Sequence, residues 1–117
     1  MNSVTIWHNP RCSKSREAVA IAEENNCDKE IVKYLETQPN AATIKNLLKM
    51  LGVSARELMR TKEAIYKELD LKNESDEEKL VEAMAANPKL IERPVLIKNN
   101  KAIIGRPSSV IAEFLNA

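Results

Sequence analysis

Cys12 is the residue of this sequence best placed to do chemistry. It sits in the run Val4-Thr5-Ile6-Trp7-His8-Asn9-Pro10-Arg11-Cys12-Ser13-Lys14-Ser15-Arg16. An apolar, β-prone stretch ends there in Asn9-Pro10, which is turn chemistry. The residues after Cys12 read as a helix, so the thiol is expected at the junction of a strand and a helix N-terminus. Unpaired backbone N–H groups and the positive end of the helix dipole favour an anion at that point. A thiolate is an anion, so the position lowers a cysteine's pKa, and Arg11, Lys14 and Arg16 push the same way. The oxyanion of a substrate would be drawn by the same groups. The residues therefore describe a reactive thiol beside an anion site.

The spacing narrows the kind of thiol chemistry. A phosphatase-like loop needs a cysteine, five residues and an arginine; counted from Cys12, that position is Ala18. A dithiol oxidoreductase needs Cys-x-x-Cys, and Ser15 stands where the second cysteine would be. Resolution of any intermediate must then use an outside thiol. Two cysteines and one histidine at these spacings cannot close a four-ligand zinc site, and no metal is expected. Cys27 ends the first predicted helix without basic company and reads as a packing residue. The length of that helix, at ~1.5 Å per residue, keeps the two thiols far beyond disulfide reach. His8, the single histidine, either finishes the strand or assists Cys12. Ser13 and Ser15 read as caps rather than nucleophiles, and Lys14 and Arg16 as supporting charge.

The elements that must position these groups follow in order. Val4–His8 reads as a central strand, apolar on both faces. A helix runs from Cys12 to about Asn25-Asn26, and Ile31–Leu35 reads as a second strand, giving a βαβ unit with parallel strands. After Gln38-Pro39, Asn40 is expected to cap a helix with Ile44, Leu47, Leu48 and Leu51 on one face, ended by Gly52. Ser54–Glu57 is a capping box for a short helix through Leu58 and Met59. Ala64–Leu69 reads as another, and Ser75–Glu78 as a second capping box before Leu80, Val81, Met84 and Ala85. Asn87-Pro88 stops that helix. Val95–Lys98 and Lys101–Ile104 read as an antiparallel hairpin around Asn99-Asn100. A last helix from Ser108 or Ser109 turns Val110, Ile111, Phe114 and Leu115 inward. The fold class is therefore α/β: a mixed four-stranded sheet in the order β-α-β … β-β-α, with a helical insert at about residues 40–87 between the second and third strands. That order, with a cysteine at the first helix N-terminus, is the thioredoxin topology.

The composition fits a single domain of 117 residues, with 44% hydrophobic and 30% charged residues. Eighteen basic residues nearly balance seventeen acidic ones, which is unlike the basic footprint of a nucleic-acid binder. No apolar run is long enough for a membrane span, and no signal peptide is expected. Two cysteines in such a chain suggest a reducing, cytoplasmic setting.

Four stretches together resemble the glutaredoxin-dependent arsenate reductases: His8–Arg16, Leu58-Met59-Arg60, Glu92-Arg93-Pro94 and Gly105-Arg106-Pro107-Ser108. The similarity covers essentially the whole chain, without the C-terminal extension of longer members. It implies that Cys12 attacks arsenate and that Arg60, Arg93 and Arg106 hold the oxyanion and stabilise the arseno-thiol intermediate. It also implies that His8 helps keep the cysteine ionised and that Ser15 supports it. Pro94 matches a proline before the third strand, where thioredoxin-like folds use a cis bond. Glutathione would act as co-substrate, with no bound cofactor, and glutaredoxin would resolve the mixed disulfide. Two rivals stand beside this reading: a glutathione-dependent thiol reductase with another substrate, and an Spx-like regulator that binds RNA polymerase. The missing second cysteine argues against the regulator's disulfide switch, and the three arginines argue for an anionic substrate. Arginine suits that task because its planar guanidinium meets a tetrahedral oxyanion in a forked, always-charged geometry.

Overall fold

The computed structural model describes residues 3–116. Along the chain run β1 (Ser3–Trp7), α1 (Ser13–Glu24), β2 (Asp28–Val32), α2 (Tyr34–Thr37), α3 (Ala41–Leu51), α4 (Ala55–Leu58), α5 (Ala64–Glu68), α6 (Glu77–Ala86), β3 (Val95–Lys98), β4 (Lys101–Ile104) and α7 (Ser109–Leu115). Short 3₁₀ turns at Leu71–Asn73 and Pro88–Leu90 flank α6. The strands form one mixed sheet in the order β2-β1-β3-β4, with β1 parallel to β2 and antiparallel to β3. This is the thioredoxin-like arrangement expected from the sequence. No described helix is long and apolar enough to cross a membrane.

The chain divides into two compact units. One holds the residues up to Tyr34 together with those from Arg93 onward; the other is Leu35–Glu92.

In the first unit β1 is central because it is paired on both sides, which is why Val4, Ile6 and Trp7 are all buried. Strand alternation sends Val4 and Ile6 to one face. There they meet Leu96, Ala18 and Ala22 of α1, and Ile111 and Leu115 of α7. Cys27 is buried in the same cluster, the packing role its neighbours suggested. Trp7 faces the other way and stacks on Tyr34 with ring centroids 6.1 Å apart. The hairpin turns at Asn99 and Asn100, both at positive φ (53° and 62°), as a two-residue turn of this kind requires. Lys98 is buried, yet its ammonium donates to the Leu115 carbonyl at the end of α7, so the charge meets the negative end of that helix.

The second strand departs from the sequence expectation of Ile31–Leu35. The pairing begins three residues earlier, with Asp28, Lys29 and Glu30 opposite Ser3, Val4 and Thr5. An edge strand is solvated along one side, so polar residues serve it as well as apolar ones. Tyr34, expected in the strand, instead opens α2 and turns into the core.

In the second unit, Asn40 caps α3 by accepting the Thr43 N–H at 2.8 Å, and Gly52 ends it at φ 71°, the left-handed conformation glycine adopts without penalty. Ile44, Leu47 and Leu48 are buried, and α3 packs on α6. The Lys45–Glu78 ion pair at 2.6 Å joins the same two helices. The Glu57 carboxylate accepts from both the N–H and the hydroxyl of Ser54, as the capping box predicts. The second capping box is displaced by one residue: Asp76, not Ser75, caps α6 by accepting the Glu78 N–H at 3.0 Å. Glu77, in the first turn of α6, accepts the Ala55 N–H at the start of α4 at 2.7 Å. Arg56 binds the Tyr66 hydroxyl and the carbonyls of Leu71 and Glu74, tying α4 to the segment that follows α5.

Candidate active site

The turn after β1 is built by Asn9. Its carbonyl accepts the Cys12 N–H at 2.9 Å, and its side-chain oxygen accepts the Arg11 N–H at 3.1 Å. The turn places Cys12 at the N-cap of α1, half-buried and with a free thiol. Ser15 fixes the turn from behind. It is fully buried; its hydroxyl oxygen accepts the Asn9 N–H at 3.0 Å and lies 2.7 Å from His8 Nδ1.

Two arginines from distant stretches reach the same thiol. Arg106 Nη2 lies 3.7 Å from Cys12 Sγ, while Arg106 Nε donates to the Arg93 carbonyl at 2.6 Å. The Arg93–Pro94 peptide is cis, in the place the resemblance implied, and the Arg106–Pro107 peptide is cis as well. The Gly105 N–H donates to the Pro94 carbonyl at 2.8 Å, so the turn after β4 is held against the turn before β3.

These groups set the ionisation of Cys12. Burial pushes the thiol up, but it is outweighed by the backbone N–H of Ser15, a hydrogen bond from the Arg93 side chain, the N–H of Lys14 and the Arg93 charge. The net pKa lies below the ordinary thiol value. The sulfur makes no cap hydrogen bond of standard geometry, yet the helix N-terminus still favours its anion. The basic side chains beside it in sequence contribute less than expected. Arg16 donates to the Pro10 carbonyl at 2.9 Å, and Lys14 faces Glu17 at 3.9 Å.

His8 is shifted the other way. Burial, then the charges of Lys33 and Arg16, hold its pKa below the usual imidazole value, against a hydrogen bond with Ser15. A neutral ring can accept the Ser15 hydroxyl proton at Nδ1 while that oxygen accepts the Asn9 N–H. His8 thus reaches the Cys12 turn through Ser15.

Arg60 belongs to the second unit. Its Nη1 donates to Glu92 Oε1 at 2.9 Å, and its Nε lies 3.6 Å from Glu63 Oε2. Met59 and Ile91 form an antiparallel bridge around it. The Arg60 N–H donates to the Leu90 carbonyl and the Glu92 N–H to the Leu58 carbonyl, both at 2.7 Å. Sequence reasoning read Asn9-Pro10 as a turn without giving the Asn9 side chain its role, and missed Glu92 as the partner of Arg60. The first had a signal, a side-chain acceptor four residues before the first residue of α1. The second had only an acidic residue next to Arg93. No group of three or more His, Cys, Asp or Glu side chains able to hold a metal occurs among the described residues.

Comparison with known proteins gives a consistent picture. The ArsC family model matches residues 7–114. A protein of Escherichia coli K12 called uncharacterized protein YfgD is 55% identical over 114 residues, 96% of each chain. An arsenate reductase of Neisseria meningitidis serogroup A is 47% identical over 117 residues, covering 98% of this chain and 100% of that one. The solved structure of an arsenate reductase from Vibrio cholerae superposes with a TM-score of 0.92 at 45% identity, over 95% of this chain and 96% of that one.

Proposed function

The chain belongs to the ArsC family, and from that premise we propose that it reduces arsenate to arsenite through the Cys12 thiolate, with glutathione and glutaredoxin supplying the electrons. The observation that carries this reading is a thiol of lowered pKa with Arg106 Nη2 3.7 Å from its sulfur and the Arg93 guanidinium beside it. Arsenate is an anion near neutral pH and so is the thiolate, so their approach is repulsive unless cations surround both. Arg93 and Arg106 supply them, and the family resemblance adds Arg60.

In the reaction, the Cys12 thiolate forms an S–As bond while one As–OH bond breaks, the departing hydroxyl taking up a proton from solvent and leaving as water. Glutathione sulfur then attacks Cys12 Sγ. The S–As bond breaks with its electron pair going to arsenic, and arsenite leaves. Cys12 remains as a mixed disulfide with glutathione. A glutaredoxin thiol takes the glutathionyl group and frees the Cys12 thiolate. Two thiols are oxidised and one As(V) becomes As(III). Ser15 at the Cys-x-x-Cys position supports the need for outside thiols. A reducing, cytoplasmic setting suits an enzyme that must return to a free thiol each cycle.

The test is arsenite production from arsenate with glutathione and glutaredoxin present. Cys12→Ser is expected to abolish it, while Cys27→Ser, in the apolar cluster, leaves turnover per folded molecule near that of the parent. An inactive parent whose Cys12 still accepts and releases glutathione would replace arsenate with another substrate of the same thiol chemistry.

A further inference from the structure

We infer that Asn9 is a positioning residue for Cys12: its side chain clamps the Pro10–Arg11 peptide and so sets where the sulfur stands at the start of α1. This rests on the reading of Cys12 as the reacting thiol proposed above. Asn9, Pro10, Arg11 and Cys12 form a tight turn, closed by the Cys12 N–H donating to the Asn9 carbonyl at 2.9 Å. Proline at the second position supplies its fixed φ, and asparagine is favoured at the first because its side chain reaches two residues on. Pro10 has no N–H, so Arg11 and Cys12 carry the N–H groups that the turn must satisfy. Both go to Asn9, one to its side chain at 3.1 Å and the other to its carbonyl.

The Pro10–Arg11 peptide is thereby held at both ends. Asn9 Oδ1 takes its N–H, and its carbonyl accepts from Arg16 Nη1 at 2.9 Å. In this orientation Arg11 keeps a negative φ, whereas the flipped turn would need a positive one there. Asn9 is itself anchored, because its N–H donates at 3.0 Å to the hydroxyl of Ser15, which is fully buried. The Ser15 N–H faces the Cys12 sulfur, so Asn9, Cys12 and Ser15 close a ring. The bond from Arg11 to the Asn9 side chain is exposed, so it adds modestly to stability and its worth lies in geometry. Without that acceptor the peptide is held at its carbonyl alone. It can then swing, and Cys12 swings with it relative to the N–H groups of Lys14 and Ser15. The charged groups that also face the sulfur, Arg93 and Arg106, come from the turns before β3 and after β4. His8 meets Ser15 from behind the turn.

The readout is the pH midpoint of Cys12 alkylation by iodoacetamide, which needs no arsenate. Asn9→Ala removes the acceptor and is expected to raise that midpoint by about half a pH unit, the order of a charge's interaction with a helix end. Asn9→Ser keeps an oxygen able to accept from the N–H two residues on, and should hold the midpoint near the parent's. Asn9→Leu has the branched shape without the acceptor; it should match Asn9→Ala and takes its place if that variant fails to fold. The melting temperature of each variant separates a loss of stability from a loss of positioning. A midpoint unmoved in Asn9→Ala or Asn9→Leu would overturn the inference, whatever happens to the melting temperature. So would a midpoint raised as far in Asn9→Ser as in Asn9→Ala. Either result leaves the Cys12 thiolate reading in place. A parent midpoint at the ordinary thiol value would instead remove that reading, and this inference with it.

Discussion

The lowered pKa of Cys12 owes less to the cationic side chains beside it in sequence than to the peptide N–H groups of the helix start and to an arginine eighty-one residues away. The junction of turn and helix was legible, because Asn-Pro and the helical pattern after Cys12 are local signals. Which cations face the sulfur was not, since side-chain direction depends on partners such as Glu17 and the Pro10 carbonyl. A measurable outcome follows. Iodoacetamide should label Cys12 far faster than Cys27 at neutral pH, with a pH midpoint below the ordinary thiol value. The stability consequence has a definite sign. Folding lowers the Cys12 pKa, so the thiolate's contribution is full above the unfolded value, about 9.0, and is lost as pH falls through the folded value. The stability gap between the parent and Cys12→Ser should therefore widen as pH rises between those limits, as denaturant titrations at a series of pH values would show. A gap that narrows with rising pH would mean the thiol is not held as an anion.

The elements were readable wherever a local rule governs them. The Asn40 cap, the Gly52 stop, the Ser54–Glu57 box and the Asn99-Asn100 turn each rest on a few adjacent residues, and all four formed as expected. The edge strand β2 did not, because its register is set by pairing with β1 rather than by its own apolar residues. Gly105 shows a further non-local demand. It is buried between β4 and α7, where a Cβ would lie 2.9 Å from Leu96 Cδ1 and 3.0 Å from both Ile111 Cδ1 and Pro94 Cγ. Those three contacts belong to β3, α7 and the turn carrying Arg93, next to the turn in which Arg106 donates to the Arg93 carbonyl. Gly105→Ala should cost about 1–3 kcal/mol, the usual penalty for overpacking a close-packed site. Denaturant unfolding would measure it, and a variant as stable as the parent would show that the turn relaxes freely.

At the scale of the whole molecule, the proposed function makes the arginines the groups that would define the substrate class. Arg60, Arg93 and Arg106 lie in three separate stretches, and nothing in composition or periodicity says which of them share a target. The fold brings Arg93 and Arg106 to Cys12, and the proposed function adds Arg60 to them on the resemblance alone. A thiol reductase with a neutral substrate would need cations only to ionise its cysteine. An arsenate reductase needs them also to bind and stabilise a developing oxyanion, and there geometry matters as much as charge. Lysine keeps the charge but loses the planar fork. Arg60→Lys, Arg93→Lys and Arg106→Lys should therefore each reduce arsenate turnover by ~10²–10³, the usual cost of one donor in a preorganised oxyanion site. Cys12 in each should keep most of its reactivity toward iodoacetamide, a small neutral probe that needs no fork. Lys14→Ala removes an ammonium that faces Glu17 and should leave turnover close to the parent's. Steady-state arsenate reduction beside alkylation rates, for all four variants, separates the two demands. If all three Arg→Lys variants turn over arsenate at the parent's rate, the arginines serve only to ionise the thiol, and the substrate must be sought among molecules without a tetrahedral anion.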